Sequence, residues 1–324
     1  MGCDPAGGVK VLRNITVEAG PSDAGQRLDV FLFGRCPTST RAFCRHAAEG
    51  GRILVNGLRR QKGHKLRAGD VVTITALKEA SDNCVRADAS VPLDIVYEDD
   101  WLIGANKPAG MAVHPLVSEE LGTLANGLVA RYPELAGVGD QPLMAGALHR
   151  IDTGTSGLVL AARTNAAFEA MRAQFAAQSI EKVYYALVEG HVAVPGVLTH
   201  ELAHHPALPH CKMVDARSLD APHRRMRAVT AYRPLELKGP YTLLEVTIRT
   251  GVTHQIRCQL ALGGWPIVND TLYGARPVGG RTRHWLHAFE ARFSHPASGE
   301  ACCLRAPVPA DFLALQNDMK GECS

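Results

Sequence analysis

The chain has 324 residues, 46% of them hydrophobic and 21% charged, and its formal net charge at pH 7 is +3. This is the balance of a globular protein with room for two domains. No apolar stretch approaches the ~20 residues of a membrane-spanning helix, and no basic start precedes an apolar segment at the N-terminus, so we expect neither membrane insertion nor export. The nine cysteines form no Cys-x-x-Cys pair, which predicts reduced thiols and a cytoplasmic protein.

The first 77 residues predict a small mixed domain behind a flexible lead-in. Residues 1–24 are rich in Gly, Pro and small side chains, so we expect a flexible segment with a short strand at 9–17. Over residues 25–77, apolar spacing, caps and turn residues predict two helices and two strands. The helices run from residue 27 and from 39–40 to about 49, and the strands are at 52–57 and 66–74.

Positive charge is concentrated in this first domain. Residues 25–77 hold ten Arg and Lys against three acidic residues, a surplus of 7 that leaves about −4 for the rest of the chain. A basic module on a mildly acidic body is typical of polyanion binding, and a solvated basic face without a partner is the alternative. The candidate contacts are Arg41, Arg45, Arg52, Arg59, Arg60, Lys62 and Lys65.

The order helix, helix, strand, Asn-Gly turn and Ala-Gly-Asp turn resembles the ribosomal S-four-type RNA-binding domain. The matching pieces are Arg27-Leu28-Asp29, residues 39–50, Val55-Asn56-Gly57 and Gly69-Asp70-Val71. The resemblance covers about 55 residues and implies that RNA is the polyanion. A polar linker is expected at 78–92.

The remainder of the chain mixes strands and helices without a regular alternation, which predicts an α+β fold with a mixed, largely antiparallel sheet and flanking helices. Helices are expected at 165–178, capped by Thr164 or Asn165, and at 253–262. Strands are expected at 93–100, 101–110, 183–189, 228–234, 241–250 and 284–294, with a strand pair over 148–162.

The segment His149–Leu158 is the most informative for function, because it sets Asp152 between Arg150 and a hydroxyl-lined turn that enters an apolar strand. A carboxylate at such a strand entrance is held by the backbone, which suits a nucleophile. The alternative is that Asp152 accepts hydrogen bonds from the turn amides, as aspartates in turns commonly do.

Four further segments accompany it. They are Asn106-Lys107-Pro108-Ala109-Gly110 with its continuation to Pro115, Lys182–Val188, Thr250-Gly251-Val252-Thr253-His254-Gln255-Ile256-Arg257, and Leu286-His287-Ala288 with His295-Pro296. In this order, over about residues 93–310, they resemble the RluA-type family of RNA pseudouridine synthases. The family's signatures are His-Arg-Leu/Ile-Asp followed by Thr-Ser/Thr-Gly-Leu, and later Gly-Arg-Thr-His-Gln-Ile/Leu-Arg.

The resemblance implies a role for each matching residue. Asp152 is expected to be the nucleophile, Arg257 its ion partner, and Tyr184 the residue that stacks on the flipped uracil and can transfer a proton. Ile256 forms an apolar wall, and Arg150 fills the helical gap that the flipped uridine leaves. Further substrate-binding candidates are Thr155, His149, Lys107 and His254, with His149, His254 and His287 bonding backbone or phosphate. RNA-facing candidates in this part are Lys212, Arg224 and Arg225.

The chain departs from the family pattern at two places and offers one competing motif. Thr153-Gly154 stand where the family has a basic residue and an aspartate, and Val252 replaces an arginine. These changes favour the alternative of a non-catalytic RNA-binding or ribosome assembly factor. A glycoside hydrolase is a second alternative, but it would need two catalytic carboxylates and the sequence places only one. We expect one further segment to be an RNA-facing loop, and a metal site is the alternative interpretation. The segment contains His200, His204, His205, His210 and Cys211.

The sequence therefore predicts a monomeric enzyme that isomerises uridine in structured RNA, with large-subunit rRNA as the first choice of substrate and tRNA as the second. No metal or other cofactor is expected. The predicted organisation is a flexible segment 1–24, an S-four-type domain 25–77, a linker 78–92, a catalytic domain 93–317 and a tail 318–324.

Overall fold

The structure is a computed structural model that describes residues 13–35, 53–77, 84–219, 224–278, 283–310 and 312. The chain divides into two compact units. The first runs to Val85 and includes Leu116–Ser118, and the second begins at Arg86 and holds the remainder. Within the described residues, no helix has the length and apolar character that a membrane span requires.

The first unit combines helix α1 (Leu28–Arg35) with a small antiparallel sheet. Apolar side chains at positions 28, 31 and 32 of the helix are buried with those of the strands. Asn56 and Gly57 both have positive φ, which is the conformation that an Asn-Gly hairpin turn requires. The strands are β1 (Arg13–Glu18), β2 (Ile53–Val55), β3 (Leu58–Arg59) and β4 (Val71–Leu77), in the order β1-β4-β2-β3.

One expectation for this region is wrong. Strand β1 pairs with β4, with Thr16 opposite Thr73, and Ala19 is buried in the core. The short strand expected at 9–17 is present as β1, and residues from 13 onward are part of the first unit and not a flexible lead-in, because this strand is hydrogen-bonded to β4. The predicted helix at 39–49 and the cations Arg41, Arg45 and Arg52 lie outside the described residues.

The second unit is built on a large sheet in which one described pair, β7 with β13, is parallel and the others are antiparallel. This confirms the α+β prediction. Its spatial order is β10-β9-β11-β12-β8-β13-β7-β6-β5, and β14 pairs with β13. The strands are β5 (Ile95–Glu98), β6 (Leu102–Lys107), β7 (Ser156–Ala162), β8 (Glu181–Glu189), β9 (Gly196–His205), β10 (Leu208–Asp215), β11 (Met226–Lys238), β12 (Tyr241–Ile248), β13 (Leu286–Ser294) and β14 (Ala301–Arg305).

Three helices of this unit are described: α2 (Leu124–Arg131), α3 (Asn165–Ala176) and α4 (Gln255–Leu262). Thr164 caps α3, since its side chain accepts a hydrogen bond from Ala167 N–H at 3.1 Å. The sequence predicted α3 and α4 but missed α2, a short helix with six of its eight residues buried, and it also missed β14.

Three further expectations are corrected. Residues 148–151 form no strand, so β7 (Ser156–Ala162) is the one named strand within the pair expected over 148–162. Residues 200–211 belong to the β9–β10 hairpin and not to a loop. Residues 86–92 of the predicted linker belong to the second unit, where Asn126 on α2 donates to the Arg86 carbonyl at 2.7 Å.

Gly157 permits the close approach of the two parallel strands. Its φ is +113°, and a Cβ atom there would lie 2.1 Å from the carbonyl oxygen of Ala288 on β13. A side chain at this position would push β7 away from β13. The glycine therefore fixes the end of β7, which carries the Asp152 turn.

Candidate active site

Asp152 lies on a tight turn that leads directly into β7. Its carbonyl oxygen accepts the Thr155 N–H at 3.0 Å, which closes the turn. Its carboxylate instead accepts from Arg257 Nη1 at 2.8 Å, and a quarter of the side-chain surface is exposed. Among the described residues no turn amide donates to this carboxylate, so the structural alternative from the sequence does not hold.

Arg257 binds two carboxylates at once. Its Nε and Nη2 donate to Asp270 at 2.7 and 2.8 Å, while Nη1 is left for Asp152. The side chain of Asp270 is 1% exposed and that of Arg257 is 9% exposed. Asp270 therefore fixes the guanidinium plane from behind, and Arg257 presents its remaining edge to the cleft.

Asp152 is held as an anion. Burial on its own would raise the pKa of its carboxyl group, but the positive charges of His254, once protonated in acid, and of Arg257 outweigh burial and bring the pKa below its ordinary value. His254 Nε2 lies 3.7 Å from Asp152 Oδ1. An ionised carboxylate with part of its surface open is the form that a nucleophile needs.

Lys107 supports the same turn from below. The residue is fully buried at the end of β6, and its Nζ donates to the carbonyl oxygens of Pro108, Met111 and Thr153 at 2.8, 2.7 and 3.3 Å. Burial lowers the pKa of its amine to about 7, opposed by the charge of Asp152. All of these contacts are internal, so Lys107 holds the turn in this structure, and its expected contact with substrate stays a prediction.

An open cleft lies in front of Asp152. Tyr184 on β8 is buried in its wall, and burial together with the charge of Asp152 raises the pKa of the phenol, so the hydroxyl keeps its proton. Tyr185 faces the other side of the sheet, as its position one residue later predicts, and stacks on Phe289 at 4.5 Å. The lining also includes Arg150, Ile248, Val252, Ile256 and Leu286.

His149 bonds the backbone as predicted but does not line the cleft, whereas Thr155 lines it as predicted. His149 Nε2 accepts the Leu160 N–H at 3.1 Å and burial lowers its pKa to about 3, so this neutral ring supports β7 and does not line the cleft. Thr155 does line it, but its hydroxyl is bonded to His284 Nε2 at 2.8 Å. Burial lowers the pKa of His284 to about 4, which keeps that ring neutral as well.

The comparisons with known proteins agree with this geometry. A family model described as RNA pseudouridylate synthase matches residues 102–262, and one described as S4 domain matches residues 26–72. Over 310 residues the chain is 32% identical to an uncharacterized RNA pseudouridine synthase, YlyB, of Bacillus subtilis, covering 95% of this chain and 99% of that protein. The chain belongs to the RNA pseudouridine synthase family.

Further relatives bear this out. The synthase is 33% identical to the ribosomal large subunit pseudouridine synthase D of Neisseria meningitidis serogroup B, over 92% of this chain and 80% of that one. Its fold matches the solved human RNA Pseudouridylate Synthase Domain Containing 1 with a TM-score of 0.54 and 25% identity, over 69% of this chain and 87% of the human one. The predicted family and the S-four-type domain are thus confirmed, and the protein is an isomerase that acts on RNA.

The departures from the family pattern leave the ion pair of this synthase in place. A Cβ atom on Gly154 would lie 2.8 Å from His284 Cε1, so the glycine makes room for the ring that bonds Thr155. Thr153 contributes its carbonyl oxygen, which accepts from Gly110 N–H at 2.7 Å. Val252 lines the cleft, and its N–H donates to the Gln255 side chain.

The predicted RNA-binding side chains that the structure describes lie on the surface of the synthase. Arg59, Arg60 and Lys65 are exposed and Lys62 is partly exposed in the first unit. In the second unit Arg224 and Arg225 are exposed beside β11, and Lys212 lies on β10 with Nζ 5.6 Å from the ring of Tyr273.

The rival metal motif is not assembled in the part of the chain that the structure describes, where no group of three or more His, Cys, Asp or Glu side chains could hold a metal ion. His200 Nδ1 instead contacts the Gln259 side chain at 3.1 Å. His205 Nδ1 accepts from the backbone of its own hairpin turn. The side chains of His210 and Cys211 lie outside the described residues.

The sequence reasoning missed three residues of the site: Asp270, Tyr273 and His284. They follow α4 or precede β13, in segments without a periodic pattern. Only the pairing of Arg257 with a second carboxylate could have been anticipated, because a buried arginine needs more acceptors than Asp152 alone supplies. Which carboxylate it would be depends on the tertiary fold.

Proposed function

We propose that this synthase isomerises uridines of large-subunit rRNA with Asp152 as the nucleophile. The observation that carries the proposal is the Asp152 carboxylate, ionised, paired with Arg257 at 2.8 Å and open to a cleft walled by Tyr184 and Ile256. The choice of RNA is supported by the names of relatives such as large subunit synthase D of Neisseria meningitidis. It is also supported by the basic S-four-type domain.

The reaction exchanges one bond for another within a single nucleotide. The bond from ribose C1′ to uracil N1 breaks as the Asp152 carboxylate captures C1′, and the uracil leaves as an anion held in the cleft. After the uracil rotates, C5 displaces the carboxylate from C1′, the C5 proton is lost to water, and N1 takes up a proton from water, so that no net proton is consumed. A carboxylate suits this step because it can bond to an oxocarbenium-like carbon and leave again, as in retaining glycosidases.

Each neighbouring side chain has a task in that sequence. Arg257 keeps Asp152 ionised when the uridine displaces water from the cleft. Tyr184 and Ile256 hold the flipped base between an aromatic ring and an apolar wall, and the protonated Tyr184 hydroxyl can donate a hydrogen bond to the uracil anion. Arg150, exposed at the rim, takes the place of the flipped base in the RNA helix.

The proposal needs neither a metal ion nor a nucleotide, because the isomerisation is redox-neutral and Asp152 with Arg257 supplies the nucleophile and the cation. Activity should therefore persist in excess chelator. If chelation stops turnover and zinc restores it, the proposed chemistry is incomplete. The cytoplasmic location and the monomeric state remain predictions.

The test uses transcripts of large-subunit rRNA and of tRNA that carry tritium at uridine C5. Formation of pseudouridine releases this tritium to water. We expect release from the rRNA transcript by the natural chain and none by Asp152→Asn, which has the same shape but no nucleophilic oxygen pair. Release from tRNA alone would contradict the substrate, release by Asp152→Asn would contradict the nucleophile, and a natural chain that binds both RNAs without release would favour the non-catalytic factor.

A further inference from the structure

Tyr273 joins strand β10 to the surroundings of the nucleophile. It ends a single helical turn (Thr271–Tyr273) and its hydroxyl oxygen has two polar neighbours among the described residues. Met213 N–H on β10 donates to it at 2.9 Å, and His254 Nδ1 lies 3.1 Å from it. The phenol ring also lies 5.2 Å below the guanidinium carbon of Arg257. The hydroxyl and the ring therefore contact different parts of the site.

The two contacts of the hydroxyl assign the proton on His254. A backbone N–H can only donate, so the Tyr273 oxygen accepts from Met213, and among the described residues His254 Nδ1 is the one remaining neighbour that can accept the hydroxyl proton. Nδ1 then carries a lone pair, and the neutral ring has its proton on Nε2. Burial lowers the pKa of His254, which keeps the ring neutral near pH 7. The charged or titratable groups that act on it are Asp152, Arg257, Asp270 and His204.

The protonated nitrogen faces the nucleophile. His254 Nε2 lies 3.7 Å from Asp152 Oδ1, the oxygen that Arg257 does not bond, since Nη1 of Arg257 donates to Oδ2. His254 precedes α4 with φ of 51°, a left-handed conformation that histidine and asparagine adopt more readily than most residues. The backbone and the Tyr273 hydroxyl together aim the ring at Asp152.

We propose that His254 is a positioning residue that donates its Nε2–H to Asp152 Oδ1 when uridine fills the cleft, with Tyr273 setting the tautomer that makes this possible. The proposal rests on the proposed role of Asp152 as nucleophile. The present 3.7 Å is slightly longer than a hydrogen bond, and such contacts commonly tighten when substrate binds. With both oxygens held, the carboxylate can no longer rotate about its Cβ–Cγ bond.

Two amide substitutions separate the two ends of the ring. In His254→Gln the amide nitrogen reaches the place of Nε2 and keeps a donor for Asp152, whereas in His254→Asn the shorter amide keeps only the Tyr273 contact. We expect His254→Asn to slow single-turnover tritium release by about 10- to 100-fold, the value of a hydrogen bond to a charged group. His254→Gln should stay within about fivefold of the natural chain. Backbone strain works against this order, because asparagine tolerates the left-handed conformation better than glutamine.

A second variant and a spectroscopic measurement test the tautomer without relying on the activity of the His254 variants. Tyr273→Phe keeps the ring beneath Arg257 and removes only the hydroxyl, and Tyr185→Phe on the opposite sheet face is its matched control. Nitrogen NMR of histidine-labelled full-length protein, with the His254 signals assigned by their loss in His254→Gln, should show an Nε2–H ring at pH 7 in the natural chain and in Tyr185→Phe. In Tyr273→Phe the proton should redistribute between the two nitrogens.

The pH profile adds a result that a merely structural role would not produce. Loss of a donor raises the pKa of Asp152, so the acidic limb of the single-turnover rate should move to higher pH in His254→Asn and not in Tyr185→Phe. Equal rates for His254→Asn and the natural chain, or an Nδ1–H ring in the natural chain, would overturn the inference. If Asp152→Asn retains full activity, the proposed function is wrong. If Asp152→Asn is inactive but His254→Asn is as fast as the natural chain, only the present inference is wrong.

Discussion

Asp270→Asn is the change that most directly tests how the site is assembled. The carboxylate of Asp270 accepts two hydrogen bonds from Arg257, at 2.7 and 2.8 Å, and 1% of its side chain is exposed. The amide of asparagine has the same shape but keeps one acceptor and turns an N–H₂ group toward a guanidinium N–H. Arg257 would then keep Asp152 as its ionised partner, on the opposite edge of the guanidinium.

The expected loss of stability follows from burial. Removal of one partner from a buried ion pair costs about 3–5 kcal/mol, and we take about 3 kcal/mol because Arg257 keeps its second carboxylate. For a unit of this size each kcal/mol lowers the Tm by about 2–4 °C, so Asp270→Asn should melt about 6–12 °C below the natural chain. The measurement is thermal unfolding followed by circular dichroism at pH 7.

Asp152→Asn is the matched control, because it removes the other carboxylate of the same arginine. Asp152 is more exposed than Asp270, and its loss leaves the two-bonded pair intact, so the Tm should stay within about 3 °C of the natural chain while tritium release disappears. If Asp270→Asn melts within about 2 °C of the natural chain, Asp270 does not hold Arg257 as we describe.

Three further predictions concern the turn, the sheet and the basic domain. Gly154→Ala should lower stability by about 1–3 kcal/mol, because its methyl group meets the His284 ring at 2.8 Å. Gly137→Ala is the control, because Gly137 has open space around it. If the stability losses of Gly154→Ala and His284→Ala simply add in the double variant, the proposed contact between them is wrong. The pKa of Glu290 is lowered, since burial is outweighed by its arginine partners, so its ionised form stabilises the fold above its ordinary pKa of 4.5. The Tm difference between the natural chain and Glu290→Gln should therefore be largest near pH 7 and shrink as the pH falls below 4.5, and a difference that grows in acid would reverse our sign. Replacing three exposed cations by glutamine should reduce the slope of log K for RNA against log salt by about 2 to 3, whereas an unchanged slope would show that these side chains do not touch phosphate. Those cations are Arg59, Arg60 and Lys65.

The parts of the fold that could be predicted from sequence are those with a local signal. Helix α3 has a Thr164 cap and an apolar stripe, and the turn at Asn56-Gly57 has the residues that positive φ demands. Helix α2 has eight residues and includes Asn126 and Gly127, which are weak helix formers, so its local signal is short and weak. The hairpin of β9 and β10 carries several histidines, and these and the nearby basic residues led us to expect an RNA-facing loop instead of strands.

The site was predictable where one short motif holds the reacting group. Asp152 and Arg257 are 105 positions apart, and only their motifs identified them as partners. Lys107 shows the limit of that approach, because its motif did not indicate that the lysine lies fully buried beneath the turn. Asp270 and His284 act through tertiary contacts that no local pattern encodes.

The account depends most on Asp152 performing uridine isomerisation in cellular RNA. Pseudouridine maps of total RNA from cells that lack this protein, complemented with the natural chain or with Asp152→Asn, test it directly. We predict that one or more large-subunit rRNA pseudouridines disappear without the protein and return with the natural chain but not with Asp152→Asn. Maps that are identical in all of these cells, or sites restored by Asp152→Asn, would contradict the account.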